Sequence, residues 1–184
     1  MASGAWRAIG SFSILAPSAS LQPARQAKPF INDQETCSMS DVDFTQDSPF
    51  PAQQASFNSM RNVKARNRAG WLGLFADDAI LQDPVGVSAF DPTGQGHKGK
   101  EAIGAFWDNV IAPNGGEIRI RESYPAGDEC ANLLRITRIL PNGKSFEVNF
   151  IGVYRVDEAG KILSLKAYWQ FDKAMADFAA AMAE

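Results

Sequence analysis

Few side chains in this sequence are equipped for chemistry, and the one with the most constrained placement is Asp83, which stands directly before Pro84. A residue that precedes proline is driven out of the helical region towards extended geometry. Asp83 is therefore expected at the end of the short extended run 79–82, where its carboxylate is available as an acid/base group. The competing reading is structural, because Asp before Pro often starts a turn and caps its own backbone. Asp77 and Asp78 read as a helix end and a solvated turn. His97 is the sole histidine and reads as a structural or exposed loop residue. One histidine leaves little from which to build a histidine metal cluster or a Ser/His/Asp triad. Cys37 and Cys130 form neither a disulfide framework nor a metal site. No metal and no cofactor are expected.

The bulk of the chain is ordinary for a globular protein. It has 184 residues, 45% of them apolar and 21% charged, with a net charge of -3. That suits one domain with an appendage. There is no basic stripe interleaved with aromatics, so a nucleic-acid partner is not expected. No run of 18 apolar residues exists, so no membrane span is expected. Residues 1–32 contain no Asp or Glu and carry Arg7, Arg25 and Lys28. They read as an organelle transit peptide, a poor secretory signal, or sequence upstream of a true start at Met39. The third reading is favoured, because Ser40, Asp41 and Asp43 after Met39 give an acidic and polar opening typical of the cytoplasm. Residues 1–50 are thus set aside as a flexible leader, and residues 51–184 as the domain.

The elements that must position Asp83 follow from periodicity. Phe57, Met60, Val63 and Lys64 share one face of a helix over 53–69. Gly70 breaks it, and Trp71, Leu72, Leu74 and Phe75 form a short second helix. Residues 90–98 read as a loop, and 100–111 as a helix with Ile103, Phe106, Trp107 and Val110 on one side. Four strands follow at 116–124, 131–140, 145–156 and 162–170, with Asn142-Gly143 as a hairpin turn. Residues 172–184 close the chain as a helix. Strands joined by tight turns favour an antiparallel sheet, so the fold class is α+β: a curved sheet with helices across one face, forming an open cone. On 145–156 one face reads Phe146, Val148, Phe150, Gly152, Tyr154, an apolar cavity wall. Arg135 and Thr137 share a face with Leu133 and Ile139 on the preceding strand. Turned inward, Arg135 would suit an anion; turned outward, it meets solvent or a dimer partner.

Three phrases carry a family resemblance. The stretch 75–86, which contains Ala76-Asp77-Asp78-Ala79 and Asp83-Pro84, resembles the helix-to-strand phrase of bacterial ketosteroid isomerases. The stretch 97–107 resembles that family's next helix. The stretch 154–162, with Tyr168-Trp169 beyond it, resembles its last hairpin. The chain is identified as a ketosteroid isomerase-like, SnoaL-like member of the nuclear transport factor 2 (NTF2-like) superfamily. The resemblance implies a cone of three N-terminal helices, a mostly antiparallel sheet and a C-terminal helix. It implies a homodimer. It also implies that Asp83 is a general base moving a proton within a hydrophobic 3-oxo-Δ5-steroid-like substrate. Phe75, Phe106, Trp107, Phe150, Tyr154 and Trp169 are the expected substrate-binding residues. The family's two oxyanion donors, a tyrosine and a protonated aspartate, fall at Ser59 and Gly152, so both are absent. Arg135, Tyr154 and Tyr168 are the replacement donors considered. Other acid/base enzymes on the same cone (hydratase, dehydratase or polyketide cyclase) and a non-catalytic, dimeric small-ligand-binding module remain open.

Overall fold

The computed structural model describes residues 41–183, so residues 1–40 of the expected 1–50 leader, with its targeting and start-site readings, lie outside the described residues. Residues 41–50, by contrast, pack on the domain, the Val42 N–H donating to the Ile120 carbonyl at 2.7 Å. Helix α1 (Pro51–Lys64) opens with Pro51 in its first turn, where a missing N–H costs nothing. It buries Ala52, Ala55, Ser56, Phe57, Ser59 and Met60 against the sheet. It ends five residues short of the expected 69, because Arg66 takes a φ of 53°. Asn67 then caps a second helix, α2 (Arg68–Gly73), by accepting from the Gly70 N–H at 3.0 Å.

Strand β1 (Phe75–Gln82) corrects the sequence reading of this stretch. Phe75 is not the end of a helix but the first residue of the strand, and Asp77 and Asp78 lie within it, exposed. The reason is tertiary: Phe75 registers with Ile162 on the far side of the chain, and the Leu74 carbonyl accepts from the Ile162 N–H at 2.9 Å. Such pairing outweighs a local helical preference. Asp77 also pairs with Lys100 at 2.8 Å.

Within the expected loop, a two-residue strand β2 (His97–Lys98) pairs antiparallel with β1. Helix α3 (Gly99–Phe106) continues into a π-helical turn, Trp107–Ile111. Strands β3 (Glu117–Ala126), β4 (Glu129–Ile139), β5 (Ser145–Val156) and β6 (Ile162–Tyr168) follow, then helix α4 (Phe171–Ala183). The six strands form one curved sheet in the order β2-β1-β6-β5-β4-β3. All pairs are antiparallel except β1 with β6, which is parallel. This is the α+β NTF2-like cone with three N-terminal helices and one C-terminal helix.

The core lies between the helices and the concave face of the sheet. Trp71 sits at its centre, edge-on to Phe75 at 4.7 Å and tilted against Trp107 at 5.1 Å. Phe75 is fully buried under Trp71 and is a core residue, not a ligand contact. Phe75→Ala is therefore expected to cost about 3–5 kcal/mol in urea unfolding.

Candidate active site

Parallel neighbours end at the same edge of a sheet, and this brings the central pair of side chains together. Gln82 of β1 registers with Lys166 of β6, so Asp83 and Trp169 emerge side by side from the C-terminal ends of adjacent strands. The Val85 N–H donates to the Ala167 carbonyl at 2.8 Å and holds the Asp83-Pro84 corner against β6. The Trp169 Nε1–H donates to Asp83 Oδ1 at 2.6 Å. Both residues face a cavity of about 900 Å³ between the sheet and the helices. That is near the upper end of the range for small-molecule sites.

The walls are mainly apolar. Phe146, Val148, Phe150, Gly152 and Tyr154 of β5 all line the cavity, as does Leu134 of β4. Phe106 closes one side, and the π-helical turn adds Trp107, Val110 and Ile111. Phe90, from the loop after Pro84, packs edge-on against Phe106, Trp169 and Phe171 at 6.3, 6.3 and 5.0 Å. Asp91 rigidifies that loop by accepting from the Gly96 N–H at 2.6 Å and the Thr93 hydroxyl at 2.7 Å.

Asp83 is surrounded by protein, and its remaining exposure is into the cavity. Burial pushes its carboxyl from the ordinary 3.8 up to about 6, while the Trp169 N–H, which favours the charged form, holds it back. A carboxyl so poised holds its proton near pH 5 and releases it near neutrality, the behaviour wanted of a general base.

A second polar group faces the same cavity. Tyr154 Oη and Ser59 Oγ are 3.3 Å apart, 95 positions apart in the chain, and the Trp71 Nε1–H donates to Ser59 Oγ at 2.9 Å. Two hydroxyls that share one hydrogen bond use one of their two protons. The other is left to donate, and both residues line the cavity. Burial raises the Tyr154 phenol well above its usual range, with the Asp83 charge adding to the effect, so the phenol stays protonated. At Gly152, where the resemblance places the acidic donor, any side chain would require Leu134 to move aside. A Cβ there would stand 2.8 Å from Leu134 Cδ1.

Asp83, Phe106, Trp107, Phe150, Tyr154 and Trp169 thus surround one space. Two expected donors lie elsewhere. Arg135 is on the convex face of β4, held by Asn149 Oδ1 at 3.1 Å and Glu147 at 3.6 Å. Its neighbours Leu134 and Ile136 face inward, and strand alternation forces Arg135 out. Tyr168 is 48% exposed, one residue before the inward Trp169, for the same reason. His97 packs against Phe106 at 5.0 Å between ring centroids and lies off the cavity wall. Sequence reasoning noted Ser59 only as a missing tyrosine, and it overlooked Trp71 as its partner. It also overlooked Met175 and Phe178 of α4 as cavity residues.

The raised carboxyl makes stability depend on pH. Between about 4 and about 6 the folded protein keeps the Asp83 proton that the unfolded chain has released. Stability from this group therefore falls as pH rises through that window, by at most ~3 kcal/mol. Asp83→Asn should remove this loss and be the more stable protein at neutral pH, as read by urea unfolding at pH about 4 and about 7. A variant with the same pH slope as the wild type would show that the carboxyl is not shifted.

The SnoaL-like domain family matches residues 57–165. Rv0760c from Mycobacterium tuberculosis, solved in complex with estradiol-17beta-hemisuccinate, is 42% identical over 67% of this chain and 96% of its own, with a TM-score of 0.62. The Delta 5-3-ketosteroid isomerase from Mycobacterium sp. is 39% identical over 67% of this chain and 95% of its own, with a TM-score of 0.61. A computationally designed 17-OHP binder is 40% identical over 67% and 94%, with a TM-score of 0.62. The chain therefore belongs to the SnoaL-like, ketosteroid isomerase-like family of the NTF2-like superfamily.

Proposed function

We propose that this protein is a steroid Δ5-isomerase-like enzyme with Asp83 as its general base. The observation that carries the proposal is the Asp83 carboxylate, its pKa pushed by burial up to about 6, on the apolar part of the wall of a large cavity. Relatives that bind or isomerise steroids supply the substrate class. In the reaction, Asp83 removes the acidic proton between the ketone and the isolated double bond. The electron pair moves into a dienolate, and the carboxylic acid returns the proton at the far end of the conjugated system. No atom is gained or lost. The Trp169 N–H keeps one carboxylate oxygen engaged and leaves the other for the substrate. The spare hydroxyl proton of the Ser59–Tyr154 pair is the donor for the dienolate oxygen, in place of the family's tyrosine and aspartate.

The replaced donors favour one second reading. With a weaker oxyanion site, a hydration, dehydration or cyclisation that builds less enolate charge would use the same base and cavity. A pocket that binds a small apolar ligand without turnover is the limiting case. We propose a homodimer through the convex sheet face, where Ile139, Ile151 and Tyr168 are exposed.

The test is the ultraviolet band of the conjugated enone formed from 5-androstene-3,17-dione. Asp83→Asn should lower kcat by about 10²–10⁴-fold. Ser59→Ala with Tyr154→Phe should lower it by about 10²–10³-fold. The kcat/KM of the wild type should rise as pH increases through about 6, since only the carboxylate accepts a proton. In Trp169→Phe the same limb should move to higher pH, because the lost N–H favoured the charged form. No turnover by the wild type above buffer would end the isomerase reading.

A further inference from the structure

The mouth of the cavity carries charges that proton transfer at Asp83 does not use. Strand β4 turns Leu134, Ile136 and Arg138 towards the cavity, so an arginine occupies a position where the strand's alternation calls for an apolar residue. Arg138 is half-buried and donates only to a neutral acceptor, Asn114 Oδ1 at 2.9 Å. Arg66 lines the same mouth and donates to the Ala112 carbonyl at 2.8 Å. Both guanidiniums thus rest on the short segment 112–114. Lys64, also on the wall, stands over the Phe44 ring at 6.0 Å.

Among the described residues, none of these three cations has a carboxylate within ion-pair distance. The carboxylates at the same mouth are already engaged. Asp41 pairs with Arg119 and Arg121 at 3.1 and 3.0 Å, and Glu117 pairs with Arg119 at 2.9 Å. Asp43 accepts from the Thr45 N–H and hydroxyl at 2.9 and 2.6 Å. Among the described residues, Asp43 has no cation within ion-pair distance in turn, so three unpaired cations face one unpaired carboxylate, and the balance at the opening is positive.

The distance from this opening to the reactive end is long. Arg138 registers with Phe146, and Tyr154 lies eight residues further along β5. Extended chain of that length spans roughly 25 Å. A fused four-ring skeleton alone is shorter than this, so a ligand seated against Asp83 and Tyr154 reaches the cationic mouth only through a tail at its distal end. We infer that the mouth is an anion subsite, and that the ligand is amphipathic: an apolar body bound within the cavity and a carboxylate- or phosphate-type tail held by Arg138, Arg66 and Lys64. A guanidinium fork is suited to both anions. The inference deepens the reading of an apolar-ligand cavity, but it does not need the ligand to be a steroid.

The test uses the full chain and cis-parinaric acid, a fluorescent fatty acid, against its uncharged methyl ester. The acid should bind about tenfold more tightly than the ester. Its advantage should shrink as salt is raised from about 0.05 to about 0.5 M. In Arg66→Asn with Arg138→Gln, the advantage should fall to about twofold or less (Asn tolerates the positive φ of position 66). Should that pair fail to fold, Lys64→Gln with Arg66→Asn, both at exposed positions, serves the same purpose. A fatty alkyl phosphate of like length, against its neutral triester, then tells a carboxylate preference from a phosphate one. Equal binding of acid and ester by the wild type would overturn the inference, as would a preference that survives the charge-removing variants. Because the fatty-acid arms require no turnover, failure of the isomerase reading leaves this result standing, and the reverse also holds.

Discussion

Two influences of opposite sign act on the Asp83 carboxyl, and the arrangement of the site depends on their balance. The cavity takes water away, which favours the neutral acid. The indole N–H of Trp169 donates to it, which favours the carboxylate. Burial wins, and the group settles where it exchanges a proton near neutrality. That balance needs β1 and β6 to run parallel and side by side, since only then do residues 83 and 169 leave the sheet at the same edge. The rest of the sheet is antiparallel and could have been built from hairpins alone. The parallel pair requires a long crossover, and here the crossover is the loop with β2, then α3, the π-helical turn and strands β3 to β5.

Those crossover elements also form the cavity. The π-helical turn closes with the Ala112 N–H donating to the Trp107 carbonyl at 2.8 Å, five residues back. One added residue per turn rotates the helix so that Trp107, Val110 and Ile111 all reach the cavity wall. Phe90 holds the loop down by aromatic contacts on three sides, and α4 flanks the mouth with Met175 and Phe178. Phe178 is anchored edge-on to Phe146 at 5.4 Å. The cavity thus has an apolar reactive end and a polar, cationic mouth, and the walls between them are continuous along β5.

The donors opposite Asp83 show how a site can keep its polarity after its usual residues have changed. With a glycine at 152, Leu134 occupies the space of an acidic side chain and dries that wall further. With a serine at 59, the hydroxyl is too short to reach far, but the Trp71 N–H and the Tyr154 hydroxyl converge on it. The result is a three-membered network in the interior, in which each polar atom has a partner and one hydroxyl proton is spare.

What the chain settled by itself was local. Hydrophobic period, the Asn142-Gly143 turn and the Asp83-Pro84 pair made the helices, the hairpins and the extended placement of the carboxylate legible, because these depend on neighbours within a few residues. The inward face of β5 was legible for the same reason. The start of β1 at Phe75 and the two-residue β2 were not, since each answers to a partner far away in sequence. So it was with Arg135 and Tyr168: a period of two says which residues share a face, but where both faces mix polar and apolar residues, as on β4, only packing against the helices says which face is inside. The Ser59–Tyr154 pair joins residues 95 positions apart, and the cationic mouth gathers Lys64, Arg66 and Arg138 from a helix end, a turn and a strand. No spacing rule links such residues, and only closure of the sheet around the helices brought them to one cavity.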